Sequence, residues 1–461
     1  MLILLSTSCG GVSQGLLDSV PASSPMVASI DVDAIFKQAG CRLDGDSVIL
    51  TPELTKLFYD NRTATLPVPM RLFARLHGAV DMSRVVMFSV DKTGHDNLFV
   101  ADITDPAEFE QRILTMAQPA DGTEELTLYT VGDWSVAVAD TRLWLGPVSS
   151  ARLIEYITPL LTLKAGENVS RYVGISDFLG GPGALKLAVQ PGVVSPLASN
   201  DQTSAWSCVT VKVENWVVGL DFRLMESDGK LVSLTSGMQE LDTDFLRYVP
   251  QSYVFAAAAG FTSDFKWKEL LGMVSLVIGP TNSSYMSFIA PVLSKVDGTV
   301  AFAAGPAAGA PAVANLGLDT WDLLMMVHMP QADVDNALSM LKSYSALGGL
   351  ETETDDNVMV VTLPDGSKIY AGNVDGYLAV SNREFEADGT NSMTDVFLSK
   401  QAAMSLSVPA GSEIVKAFNL PCGFDLNMQM SDDDMHMRLS LNGSDRRVLQ
   451  TVLELVAKKT K

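Results

Sequence analysis

The sequence predicts an α+β chain of two tandem similar domains, each an antiparallel sheet with helices packed on one face. Three observations predict it. First, 47% of the 461 residues are hydrophobic and only 19% charged, a balance that builds buried cores rather than a disordered chain. Second, an apolar helical face recurs at a fixed distance: Val334, Leu338 and Leu341 stand 225 residues after Phe109, Ile113 and Met116 (334 − 109, 338 − 113, 341 − 116). Third, each half closes on an alternating hairpin, the pattern of a sheet with one covered and one solvated face.

The first copy is placed at 20–243. Val20-Pro21-Ala22-Ser23-Ser24 leads into an apolar strand from Met26, and a helical pattern ends at Gly40. Strand Leu98 to Ala101 precedes Asp105-Pro106-Ala107-Glu108, where Asp caps, Pro suits the first helical position and Glu lies three on from the cap. Leu126 to Tyr129, a Gly132-Asp133 turn and Trp134 to Ala139 read as strand, turn, strand. Val218, Leu220, Phe222 and Leu224 then alternate with other residues up to Ser227-Asp228-Gly229.

The second copy is placed at 248–461, joined near Asp242-Thr243-Asp244. Val249-Pro250-Gln251-Ser252 leads into Tyr253 to Ala257, with a helical pattern from Phe265 to Gly272. Leu323 to Val327 precedes Pro330 and the second apolar helix face. Met359 to Leu363, the Pro364-Asp365-Gly366 turn and Tyr377 to Ser381 are matched with 126–139. Phe424, Leu426, Met428 and Met430 alternate up to Ser431-Asp432-Asp433-Asp434, and Met435, Met437, Leu439 and Leu441 return. A last helix after Ser444-Asp445 is expected to bury Val448, Val452 and Leu455, with Lys458 and Lys459 at the negative end of its dipole.

A net charge of −22 with no basic stripe argues against nucleic acid as a partner. Four cysteines, Cys9, Cys41, Cys208 and Cys422, form no CxxC and no Cys/His ligand spacing, so neither a disulfide framework nor a zinc site is expected. Cys9 follows the apolar and small residues Leu2-Ile3-Leu4-Leu5-Ser6-Thr7-Ser8 and precedes Gly10-Gly11. This run resembles a bacterial lipobox, in which small residues admit the peptidase and the thiol takes the lipid. Residues 1–19 are read as the remnant of a signal starting upstream, the anchor Cys9 and a linker. The other three cysteines are expected to be inert core thiols.

Cys9, the Pro21-Ala22 start, the Ser29-Ile30-Asp31 strand end and the Ala39-Gly40 helix end together resemble an uncharacterised Bacteroidetes cell-envelope lipoprotein family. The resemblance runs over residues 9–40. It implies an exported protein held to a membrane through a lipid on Cys9, and it brings no catalytic residue. Gly10-Gly11-Val12-Ser13-Gln14 lacks an acidic run of the kind that resembles a surface-export signal, which favours the periplasmic face over the cell surface.

No catalytic, cofactor or metal residue is assigned. His77, His95, His328 and His436 match no two-ligand pattern; His328 is expected as a structural histidine on a strand pairing near Ile103, and His95 on a loop tip. Ser263 to Lys266 (SxxK) and Lys92-Thr93-Gly94 (KTG) stand in the wrong order for a penicillin-recognising enzyme. Gly180-Gly181-Pro182-Gly183-Ala184-Leu185-Lys186 lacks the Gly-Lys-Ser/Thr ending of a phosphate loop and is read as a connection into strand Leu185 to Val189. Glu351 to Asp356 and Asp432 to Asp434 are read as solvated turns. The uncharged stretches Leu270 to Ser294 and Gly298 to Leu318 are interrupted by Gly279-Pro280 and Gly305-Pro306, so neither is expected to span a bilayer.

The expected role is therefore a lipid-anchored envelope protein that binds a partner, an envelope protein or a glycan, without catalysis. The alternatives are a glycan- or peptide-processing hydrolase and a fimbrial or adhesin-type subunit. The Gly/Pro/Ala segment 305–319, present in the second half alone, is the expected recognition loop, with binding near the junction of the copies.

Overall fold

A computed structural model describes residues 14–44, 47–52, 55, 68–91, 96–191, 204–267, 293–307, 320–355, 358–387, 393–444 and 446–459. The chain divides into two compact units, Met1–Val232 with Asp445–Lys461, and Ser233–Ser444.

The first unit runs α1 (Gln14–Leu17), β1 (Met26–Ile30), α2 (Val32–Gln38), a ribbon of β2 (Arg42–Asp44) and β3 (Ser47–Ile49), α3 (Val68–Leu76), β4 (Val85–Ser89), β5 (Asn97–Asp102) and α4 (Pro106–Ile113). There follow β6 (Gln118–Ala120), β7 (Thr127–Val131), β8 (Trp134–Ala139), β9 (Arg142–Gly146), α5 (Ser150–Ile157), α6 (Val173–Gly180), β10 (Leu185–Val189), β11 (Trp206–Val213), β12 (Val217–Met225) and β13 (Leu231–Val232). Local chemistry sets the helix starts. The Ala34 amide donates to Asp31 Oδ1 (2.8 Å) and the Glu108 amide to Asp105 Oδ1 (3.0 Å). Gly40, at φ +79°, takes the left-handed conformation that ends α2. Edge to edge, the strands lie in the order β6, β7, β8, β9, β5, β4, β1, β10, β11, β12, β13, every pair antiparallel.

The second unit runs β14 (Phe255–Phe261), β15 (Gly298–Pro306), β16 (Trp321–His328), α7 (Gln331–Leu347), β17 (Glu351–Asp355), β18 (Val358–Thr362), β19 (Lys368–Val374) and β20 (Tyr377–Ser381). It continues with α8 (Thr394–Phe397), β21 (Ala402–Val408), α9 (Glu413–Ala417), β22 (Gly423–Met430) and β23 (Met435–Asn442). Its order, β17, β18, β19, β20, β16, β15, β14, β21, β22, β23, follows that of the first unit from β6 to β12, with β14 in the place of β1 and no counterpart of β13 among the described residues. Helices α4 and α7 fill the same slot, directly after the corresponding strands β5 and β16.

The expected fold class needs correction. Two α+β domains with helices on one face of each sheet are not formed; the strands are assigned to one antiparallel sheet of 21, and helix accounts for only 25%. Among the described helices only α7 (17 residues) and α10 (Val448–Lys459, 12 residues) exceed nine. An eight-residue helix is ~12 Å long, the width of two or three strands at ~4.8 Å, so such helices patch a wide sheet rather than layer it. Nor is the cover one-sided. In the first unit Val86, Phe88, Leu98 and Val100 face one core, closed by α5 and α6, while Val85, Phe99 and Ala101 face another, closed by α3 and α4. Near-continuous apolar strands such as Val85-Val86-Met87-Phe88 are what a doubly covered sheet requires.

Four local expectations change as well. The counterpart in strand order of β8 is β19, which was not foreseen; β20 corresponds to β9. Glu351 to Asp355 forms strand β17 against β18 rather than a loop. Phe109, Ile113 and Val334 are buried and Met116 and Leu338 partly so, but Leu341 is 37% exposed because the second half of α7 extends into solvent. In α10 the buried stripe is Val448, Thr451 and Glu454, with Val452 and Leu455 only half-buried. Glu454 is held by Arg446 and by the Gln450 amide (3.0 Å), which lets a carboxylate occupy that stripe. This helix belongs to the first unit, where the Val448 amide donates to the Asn215 carbonyl (3.1 Å). No helix among the described residues is long and apolar enough to cross a membrane.

Candidate functional site

A cleft in the second unit sets several polar side chains around open space. It forms where the chain leaves β20 and where residues 250–253 turn into β14. The Asn382 side chain fixes the exit, accepting from the Leu323 amide (2.7 Å) and donating to the Trp321 carbonyl (2.7 Å). The Ser381 hydroxyl accepts from the Arg383 amide (3.1 Å). On the other wall the Tyr253 amide donates to the Pro250 carbonyl (3.0 Å). Gly305 permits the close approach of this wall, since a Cβ there would lie 2.6 Å from the Tyr253 Cα.

The cavity is about 100 Å³ and is lined by Tyr248, Tyr253, Leu324, Ser381, Arg383 and Phe385, with Glu384 and Glu386 exposed at its rim. Arg383 reaches Asp322 (3.5 Å) and Glu386 (3.7 Å), both at distances longer than a charge-assisted hydrogen bond. Tyr253 is 3% exposed, and its hydroxyl is enclosed with the Arg383 guanidinium as its polar neighbour. Burial raises its phenol above the ordinary range; Asp322 adds to this and Arg383 opposes it. Tyr248 is tied differently. Its hydroxyl donates to Asp375 Oδ2 (2.6 Å), and burial with that carboxylate pushes its phenol up to about 12. The arrangement offers donors, acceptors and aromatic faces to a small polar molecule.

A larger cleft, about 500 Å³, lies between α7 and β17 to β19. Its polar groups already bond one another: Asn373 Nδ2 donates to Gln331 Oε1 (2.5 Å), and Gln331 Nε2 to Asp335 Oδ1 (2.8 Å).

The residues singled out in the sequence are scattered. Cys9, His95, Lys92-Thr93-Gly94 and 308–319 of the expected recognition loop lie outside the described residues. His328 does not pair near Ile103; it lies opposite Tyr377 in the β16–β20 ladder, its Nδ1 2.7 Å from the Asp297 carbonyl and its ring edge-on to Tyr377. His77 Nε2 lies 3.5 Å from Asp33 Oδ1. Burial raises the Asp33 carboxyl, His77 opposes this, and Asp31 and Asp81 add to it. His436 sits 3.0 Å from Asp434 at the β22–β23 turn. Asp432, in the same turn, accepts from the hydroxyls of Thr235 and Ser233, which lower its carboxyl below the usual range. Among the described residues no three His, Cys, Asp or Glu side chains are grouped to hold a metal ion. Tyr253 and Arg383 carry no sequence signal: one begins an apolar strand and the other follows one, 130 residues apart (383 − 253).

Cys208 and Cys422 are buried and Cys41 half-buried, all as free thiols. Burial pushes the Cys208 thiol up to about 12, with Arg223 opposing, and raises Cys41 and Cys422. Because the thiolate is the reactive form, Ellman's reagent near neutral pH is expected to leave Cys208 and Cys422 unmodified in the native protein and to titrate them after denaturation. Rapid native reaction at Cys208 would show that its surroundings open readily.

No family model matches the chain. The bifunctional protein GlmU of Acidiphilium cryptum (strain JF-5) is 33% identical over 119 residues, 25% of this chain and 26% of that protein. The chain thus spans about a quarter of the length of that curated relative. Among solved structures, crystal forms I and III of TP0453 match at 10% identity with a TM-score of 0.30, over 46% of this chain and 78% and 80% of theirs. Crystal form IV matches at a TM-score of 0.28 over 45% of this chain and 79% of its own.

Proposed function

We propose that the chain is a cell-envelope protein, anchored through a lipid on Cys9, that works by binding a partner through the Arg383 cleft of its second unit. The observation that carries the binding role is the Arg383 guanidinium, which lines an open cavity beside the enclosed Tyr253 hydroxyl and is held by ion pairs as long as 3.5 and 3.7 Å. Charge-assisted hydrogen bonds are strongest at ~2.7–2.9 Å, so a ligand that bonds the guanidinium directly gains over these pairs. The partner is an envelope protein or a glycan, met on the periplasmic face. The common strand order of the units and the 225-residue recurrence support descent from one duplicated element.

Two measurements test this. Expressed from its own gene, the wild type is expected in the membrane fraction and Cys9→Ala in the soluble fraction; unchanged partitioning overturns the anchor. For binding, a photo-crosslinking amino acid placed at Phe385 in cells is expected to capture envelope material. The same group at Asp365, on the exposed turn between β18 and β19, is expected to capture none. Equal capture at both positions, or at neither, overturns the cleft as the contact.

A further inference from the structure

We infer that the Arg383 cleft recognises one neutral sugar ring, an inference that rests on the cleft being the ligand contact. The argument is one of charge and hydrogen-bond type. Among the described residues that line the cavity Arg383 is the cation and Glu384 and Glu386 the carboxylates, with Asp322 3.5 Å from the guanidinium; Arg247, over the Tyr248 ring, is offset by Asp375. An anion entering such a rim meets a net negative field, and Arg383 is already flanked by two of the three acids. A cation fares no better, because the interior wall presents the guanidinium, whose donors cannot accept from it.

A neutral polyol satisfies both sets at once. Each sugar hydroxyl donates one hydrogen bond and accepts others, so neighbouring hydroxyls can bridge the Arg383 donors and the rim carboxylates. The Tyr253 hydroxyl, enclosed beside Arg383, backs the guanidinium that meets the sugar. Tyr248 and Phe385 add aromatic surface against which the C–H face of a pyranose can lie. The rings are held in place. Tyr248 is tied to Asp375, and both rings pack on the cluster that contains Phe245 and Tyr253. A cavity of about 100 Å³ open on one side takes one ring inside while a longer chain continues into solvent.

The test is saturation-transfer NMR on the full chain with glucose, galactose and N-acetylglucosamine, beside glucuronate as the anion and glucosamine as the cation. At least one neutral sugar is expected to give saturable transfer, weakened roughly tenfold or more by Tyr253→Phe and abolished by Arg383→Gln. Tyr253→Phe is expected to melt close to the wild-type temperature, since the ring that fills the cluster is kept. Transfer to glucuronate or glucosamine alone, to none up to roughly 100 mM, or to a neutral sugar with both variants unchanged overturns the inference. Capture at Phe385 of protein but no saccharide overturns the sugar while leaving the binding role intact.

Discussion

Phe397→Ala is expected to remove about 3–5 kcal/mol from the stability of the second unit and to disorder the cleft built on it. Phe397 is 0% exposed and stands edge-on to Phe245 at 5.6 Å. It is the last residue of α8, a helix of four residues, which is too short to persist without this docking. The cluster it completes includes Tyr253, Leu324, Met326 and Tyr377, and Tyr248 and Phe385 pack on its margin. Truncation opens a void where the large rings meet, and the cost combines lost burial with the cavity left behind. Urea unfolding should therefore show the transition of the second unit at lower denaturant, with capture from Phe385 reduced in parallel. Phe397→Leu, which keeps most of the volume, should lose far less. A shift below about 1 kcal/mol for the alanine variant would mean that α8 does not hold this cluster.

The features legible in the sequence are those that short-range chemistry decides. Asp31 and the Asp105-Pro106-Ala107-Glu108 box cap helices because donor and acceptor lie three residues apart. The β22–β23 hairpin pairs Phe424 with Leu441 and Met430 with Met435, as the alternation on both sides of Ser431 to Asp434 implies. Features that depend on what covers a strand were not legible. Runs such as Val85 to Phe88 are equally apolar on both sides, so the pattern cannot tell one covered face from two. Strand β17 was hidden by charge: in Glu351-Thr352-Glu353-Thr354-Asp355 the acids suggested solvent, while the alternating threonines suit a strand. The Tyr253 to Arg383 site is harder still, because it joins the entrance of β14 to the exit of β20, and only strand order brings them together.

Lys186 gives the sharpest pH-dependent expectation: Lys186→Met should stabilise the protein at neutral pH by about 1–2 kcal/mol, and the gain should disappear as the pH rises towards the ordinary lysine range. Residues 180–186 lack the ending of a phosphate loop and lead into β10, which begins at Leu185. Lys186, however, does not face solvent. It is 3% exposed; its ammonium donates to the Phe178 carbonyl near the C-terminal end of α6 and lies 5.4 Å from the Phe178 ring centre. Gly181 and Gly183 pass directly over it. Burial, with Lys212 adding repulsion, lowers its pKa from 10.5 to about 8. The sign follows from proton counts. Below about pH 8 both states carry the proton, and the folded state bears the whole desolvation penalty, at most about 3 kcal/mol. Between about 8 and 10.5 the unfolded chain binds more protons, so wild-type stability rises with pH through that window. Methionine fills a similar volume without the charge, but it gives up the bond to the Phe178 carbonyl and the dipole interaction at the end of α6, which offset part of the gain. The measurement is the difference in unfolding free energy between variant and wild type across that window, which cancels the titration of every other group. A variant less stable than wild type at pH 7, or a difference flat from pH 7 to 10.5, would mean that the carbonyl and helix-end interactions outweigh the burial of the charge.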